Sequence, residues 1–196
     1  MANDGEGKIR TRGFNHVVLV CKNMAEAVHF YGDILGFRLV KTSEVHLDSP
    51  KWGGLQHFFF DVGNDNLLAF LWYPEAPNAQ PGVSSAPVGG GLSAHGSMNH
   101  LAFDVAPEML EVYRQRLLDN GIEVSPIVNH DDSPATVSPE VNETTYVRAI
   151  YFTGPDGVRL ELAANVRRLR PDEAMIPANE MDSGPASREK KPEGVS

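Results

Sequence analysis

Cysteine is nearly missing from this chain. Cys21 is the only one in 196 residues, so no disulfide can close within a chain and a stapled secreted scaffold is excluded. A reducing, intracellular setting is expected. Long apolar runs are missing as well: nowhere do roughly 18 apolar residues follow one another, the length a spanning helix needs, so no membrane association is expected and the protein reads as soluble and cytoplasmic. Positive charge is scarce. The formal net charge is -9, and because residues 166–196 hold six Lys and Arg against six acids, the body of the chain carries the whole deficit. Such a body repels phosphate backbones, and it contains no run of Lys and Arg interleaved with aromatics, so nucleic acid is not an expected partner. The expected ligand is a small molecule, with a homo-oligomer as an open possibility.

What is present suffices for one core. With 41% hydrophobic residues the chain can bury an interior, yet it is short enough that a single compact unit is expected. Residues 1–12 and 166–196 lack apolar periodicity and read as a flexible N-terminus and a flexible C-terminal tail. Between them lies 13–165, organised as a first module (13–73), a linker (74–97) rich in Pro, Gly, Ser and Ala, and a second module (98–165). In the first, Phe14–Val20 predicts a buried strand, Asn23–Leu35 a helix with an Asn N-cap and a Gly36 stop, and Phe37–Val40, Leu55–Val62 and Leu67–Trp72 three further strands. The second repeats the order: Asn99–Val105 as strand, Pro107–Asn120 as helix with Gly121 as stop, then strands at Ile122–Val128, Tyr146–Phe152 and Val158–Ala163. The order β-α-β-β-β thus occurs twice.

Register supports a duplication. Asn15-His16 lies on Asn99-His100 and Gly36-Phe37 on Gly121-Ile122 at nearly one offset, which then grows so that Phe60 falls on Phe152 and Ala69 on Glu161. A repeat this long is no solenoid unit; it reads as a supersecondary module that closes on its twin. The paired Asn-His dipeptides, the helices ending in Gly-Phe and Gly-Ile, and the run Tyr151-Phe-Thr-Gly-Pro-Asp-Gly-Val-Arg-Leu-Glu161 resemble the vicinal oxygen chelate superfamily, which includes glyoxalase I, type I extradiol dioxygenases, fosfomycin-resistance thiol transferases and bleomycin-binding proteins. The resemblance spans 13–165. It implies an α+β fold in which two βαβββ modules form a curved, mixed-sheet cup, with metal ligands on the first and last strands of each module. Those positions are His16, Ala69, His100 and Glu161.

The implied metal ligands are therefore His16, His100 and Glu161. Two neutral imidazoles and one carboxylate leave several coordination positions open, the facial arrangement associated with non-haem Fe(II) and dioxygen. A lone strand histidine is ordinarily a core or surface residue. Here the two occupy equivalent repeat positions, and Glu161 falls inside an apolar strand where an unpaired carboxylate would be costly. Ala69 discriminates, because metal-dependent glyoxalase I needs a second acidic ligand there. The resemblance gives Tyr151 a substrate-binding role, against a packed aromatic as the plain alternative. For an acid or base, His57, His95 and His130 are candidates, with His130 preferred because it stands beside Asp131 and Asp132 in an expected long loop. Arg148 either faces the cup or points outward. The Phe58-Phe-Phe60 run, Phe70 and Trp72 are first of all core. The leading expectation is an Fe(II)-dependent extradiol-type dioxygenase acting on a catechol-like aromatic diol with dioxygen. Alternatives are a metal-dependent isomerase, epimerase or lyase, which a Zn, Ni or Co preference would favour, with Asp61 or Glu44 replacing the missing acid, and a non-catalytic binding protein; Mn is a further possible ion.

Overall fold

The computed structural model describes residues 11–45, 54–88 and 91–170, together with Glu173 and Ala178. Most of both segments expected to be flexible lies outside the described residues. Strand β1 is His16–Val20, a β-branched run suited to a pleated surface. Asn23 then caps the first helix, its Oδ1 accepting from the backbone N–H groups of Ala25 and Glu26 at 3.0 and 3.2 Å. Only α1, Met24–Ala27, is α-helical; Val28–Ile34 widens into π-helical turns and buries Phe30, Tyr31 and Ile34. Gly36, at φ 83°, ends it as expected. Strands β2 (Arg38–Val45), β3 (Leu55–Asp61) and β4 (Leu67–Trp72) complete the first module.

The second module runs β5 (Leu101–Asp104), a 3-10 turn at Pro107–Met109, α2 (Leu110–Asp119), β6 (Val128–His130), β7 (Val137–Ser138), β8 (Val147–Thr153) and β9 (Arg159–Asn165). Of the strand expected over 122–128, residues 122–127 form only a single bridge, Val124 to Phe152, and Val128 alone enters a ladder, as the first residue of β6. Pro126 interrupts the ladder, and the Ser125 hydroxyl accepts the Tyr151 N–H at 2.9 Å instead. β6 and β7 lie in what reads as loop in the sequence. Strand order is β1-β4-β3-β2 in one sheet and β5-β9-β8-β6-β7 in the other. In each module the first strand runs parallel to the last and forms the sheet edge. The duplicated α+β architecture is thus present, but the two sheets do not join. Among the described residues both edges, β1 with His16 and β5 directly after His100, are open within the chain.

The two modules pack through their helices. One core contains Phe60, Leu68 and Phe70 from the first sheet, Ile150, Phe152 and Leu160 from the second, and Tyr31, Leu110 and Leu117 from the helices between. Arg116 of α2 donates to the carbonyls of Ile34 and Asp33 at 2.6 and 2.9 Å, satisfying groups a helix C-terminus leaves open. The Lys22 N–H donates to Asp156 at 3.0 Å, and Phe37 meets Phe103 with ring centroids 4.9 Å apart. Because alternate residues of a strand face opposite ways, the side chains that alternate with this core line the outer faces: His16, Val18 and Phe59 on one sheet, Tyr151, Arg159 and Glu161 on the other. Among the described residues no helix is long and apolar enough to cross a membrane.

Gly154 sits where the modules touch. A Cβ there would stand 3.0 Å from Leu160 and 3.2 Å from both Phe30 and the Tyr31 hydroxyl. Gly154→Ala is therefore expected to destabilise the fold by about 1–3 kcal/mol through overpacking, read as a lower midpoint in urea unfolding. An unchanged midpoint would show that this contact has slack.

Candidate metal site

The second module assembles a polar chain on an otherwise apolar strand. Glu161 is 5% exposed, a degree of burial that a carboxylate tolerates only when matched. Its Oε2 lies 2.8 Å from His100 Nε2, and its Oε1 accepts the Tyr151 hydroxyl proton at 3.1 Å. His100 is oriented from behind. Asn99 donates from Nδ2 to Ser93 Oγ at 3.1 Å, which turns its Oδ1 to His100 Nδ1 at 2.8 Å. Those partners assign the proton to Nδ1 and, in a neutral ring, the lone pair to Nε2. That lone pair then faces a carboxylate oxygen. The juxtaposition calls for a cation, a proton or a metal ion, so the donor set fits a divalent ion.

Tyr151 joins this pair to His130. The Tyr151 oxygen lies 2.9 Å from His130 Nε2 while its proton points at Glu161. Burial, then the charge and hydrogen bond of Glu161, push the phenol up to about 12, so it stays a donor at neutral pH. His130 is in strand β6 rather than in a loop. Nor do its acidic neighbours orient it: Asp131 accepts from the Ser133 hydroxyl at 2.6 Å and from Asn142 at 2.7 Å. These bonds, Ser133 first, hold the Asp131 carboxyl down at about 2, while Asp132 pairs with Arg167 at 3.3 Å. Tyr151 supplies the orienting contact instead.

His16 is built the same way and stands elsewhere. Asn15 Oδ1 meets its Nδ1 at 2.6 Å, so its Nε2 is likewise the free nitrogen. Its neighbours are Phe59, at 6.2 Å between ring centroids, and His57, whose ring lies tilted by 43° against Phe59 with centroids 4.2 Å apart. Burial first, then His16, lowers the pKa of His57, and its buried Nε2 has no partner. Among the described residues no three His, Cys, Asp or Glu side chains of one chain come together to hold an ion. The structure thus unites His100 with Glu161 and leaves His16 apart. Ala69 is fully buried, opposite Phe59 and Val18 on its neighbouring strands.

The remaining candidates fall outside this cluster. Asp61 is engaged by Arg38 and the Gly63 N–H, both at 2.9 Å. Glu44 is exposed and pairs in register with Gln56, on the face away from His57. His95 lies exposed in the linker. Arg148 points away from Tyr151, donating to Asn129 at 3.1 Å. The cation on the site's face is Arg159, whose guanidinium lies over the Tyr151 ring, 5.3 Å from its centroid. Sequence reasoning passed over it, although its spacing of two from Glu161 on a strand is the signal that places both on one face.

The model of the Glyoxalase/Bleomycin resistance protein/Dioxygenase superfamily matches residues 13–162. The chain belongs to that superfamily. It is similar to the putative ring-cleaving dioxygenase MhqE of Bacillus subtilis (strain 168), 28% identical over 115 residues, 58% of this chain and 33% of that protein. The chain therefore spans about a third of the length of that relative. It is also similar to the metallothiol transferase FosB of Shouchella clausii (strain KSM-K16), 25% identical over 150 residues, 76% of this chain and 78% of that one. The fosfomycin resistance protein FosX of Listeria monocytogenes, solved with Mn(II) and sulfate, matches with a TM-score of 0.51 at 18% identity, over 80% of this chain and 95% of that one. That last likeness is one of fold.

Two outcomes follow from the geometry. Asn99→Ala is expected to weaken Mn(II) binding about 10- to 100-fold, because it frees the His100 ring; calorimetric titration measures it, and unchanged affinity would remove Asn99 from the site. For Asp131 the folded value lies below the ordinary 3.8, so its contribution is present above that value and is lost as pH falls towards about 2. The gap in urea midpoint between the native chain and Asp131→Ala should be full at pH 6 and shrink steadily below pH 4. A gap independent of pH would assign the loss to packing.

Proposed function

We propose that the protein is a divalent-metal dioxygenase of the extradiol type, whose ion is held by His100 and Glu161 of one copy and by His16 of the partner subunit. The observation that carries this reading is the pairing of a preset His100–Glu161 half-site with a matching His16 on a second open sheet edge. Open edges invite strand pairing, and β1 also exposes Val18 and Val20, at 38% and 45%, on the face that carries His16. A two-fold pairing of copies that sets β1 of one beside β5 of the other would cover both edges and create two equivalent sites.

Fe(II) at such a site supplies chelation of the two vicinal oxygens of a catechol-like substrate and reaction with dioxygen; Mn(II), Zn, Ni or Co are alternative occupants. The protein's own groups do the rest. Asn15 and Asn99 hold both imidazoles with Nε2 forward. With Glu161 holding an ion and His130 in its Nδ1–H tautomer, the Tyr151 hydroxyl would be free to turn its proton to the unprotonated His130 Nε2 and to accept one from a substrate hydroxyl, leaving an imidazolium at His130. Phe59, Val18 and Val20 wall the opposite side and exclude water from the ring. With no carboxylate at Ala69, the second acid that an enediolate isomerase of this architecture uses is missing, which favours the dioxygenase. A second reading, metal-dependent transfer of a thiol, is favoured by the match to the metallothiol transferase FosB over 78% of its length. A cytoplasmic location accords with the lone, buried thiol of Cys21.

Mixing separately inactive variants tests the shared site. His16→Ala and Glu161→Ala should each be inactive, but refolded together they should regain activity, since about half of the dimers are mixed and each of these carries one intact site, about a quarter of all sites. No recovery would argue for a site completed within one chain. The reaction itself is tested by loading with Fe(II) under anaerobic conditions and following oxygen uptake across a panel of catechols. Uptake with none of them, alongside consumption of a free thiol with an electrophilic acceptor in Mn(II)-loaded protein, would replace the first reading with the second.

A further inference from the structure

We propose that Arg159 and Thr153 form an anion subsite that selects, among aromatic diols, those bearing a carboxylate arm. The inference rests on the metal-site reading above for the position of the ring, and on a groove of about 740 Å³ for the position of the arm. Tyr151 pairs with Glu161 and Thr153 with Arg159 across β8 and β9. Successive same-face residues on a strand are about 7 Å apart. The Arg159 row is therefore one step from the Glu161 row, on the same face, towards the hairpin turn.

Three features make this step a binding position. Arg159 is exposed, and among the described residues its guanidinium enters no ion pair; its one recorded contact is the Tyr151 ring. A cation parked on an aromatic face keeps its in-plane N–H donors free for a carboxylate, which a guanidinium takes in a bidentate manner. Thr153 is exposed opposite it and adds a hydroxyl donor. Ile122, Val124, Pro126 and the linker residue Pro87 also line the groove, an apolar lining suited to the carbon stem of such an arm. The groove also includes Glu123. Its negative charge disfavours a dianionic phosphate or phosphonate more than a monoanionic carboxylate, which narrows the arm to the latter. The distance of about one strand step fits a diol ring with a one- or two-carbon acid side chain.

Calorimetry on anaerobic, Fe(II)-loaded full-length protein tests this without relying on turnover. The probes are 3,4-dihydroxyphenylacetate, its uncharged counterpart 4-methylcatechol, and phenylacetate, which has the arm but no hydroxyls. The native protein should bind the dihydroxy acid at least about tenfold more tightly than 4-methylcatechol, as expected for a charge-assisted pair. Arg159→Met should erase that preference, so that the dihydroxy acid and 4-methylcatechol bind with about equal affinity. Arg159→Lys should keep part of it, and Thr153→Val should reduce it. A native protein without preference, or a preference that survives Arg159→Met, overturns the proposal. If phenylacetate binds through Arg159 while neither diol binds better than phenylacetate does, the subsite stands and the diol reading of the metal site falls. If neither acid responds to Arg159→Met while 4-methylcatechol binds, the reverse holds.

Discussion

A carboxylate buried to 5% exposure in an apolar strand is the constraint around which this molecule is arranged. Removing Glu161 from water is costly unless charge and hydrogen bonds replace it, and every neighbouring polar group serves that replacement. His100 faces one oxygen, Tyr151 donates to the other, His130 backs Tyr151, and Asn99 turns His100. The chain continues outward through Ser93, a linker residue, so the linker takes part in fixing the imidazole. The hydrogen bonds from Asn99 and Tyr151 thus fix both His100 and Glu161 before any ligand arrives, which is what preorganisation means.

The same arrangement accounts for what one chain does not complete. Each module needs its helix to cover one sheet face, and the helices of both modules share one interior. Arg116 reaching Asp33 and Ile34, and Gly154 pressed against Phe30 and Tyr31, lock that back-to-back packing. The cost is geometric. With helices in the middle, the ligand-bearing faces turn outward and β1 and β5 are left as unpaired edges. The proposed pairing of two copies would supply the enclosure that these edges leave open. Val18 and Val20, exposed beside His16, are residues of the kind an interface covers.

Much of this was legible in the sequence, because duplication leaves a record in register. The Asn-His dipeptides, the two Gly helix stops and the Ala69–Glu161 correspondence come from spacing, and strands such as Leu67–Trp72 appear with the expected limits. The Asn23 cap and the Gly36 stop are local chemistry, read from one residue and its neighbours. Misreadings concentrate where non-local contacts compete with local preference. The π-helical widening after Ala27 depends on what Phe30 and Tyr31 meet across the modules. The loss of a strand over 122–127 depends on Ser125 and Pro126 against β8. His130, expected in a loop beside two acids, is a strand residue whose acidic neighbours are bound to other groups.

By itself, then, the sequence determined the repeated βαβββ order and the residue types available for an ion, because periodicity and duplication are properties of the chain. Only the tertiary structure decided which of those residues meet. It joined His100 to Glu161 through one parallel pair of strands, linked Tyr151 to His130, turned Arg148 away and brought Arg159 onto the Tyr151 ring. It also set His16 apart on a separate sheet. These are consequences of how two sheets pack against a shared helical layer, a choice made by the burial of residues far apart along the chain, to which no local pattern has access.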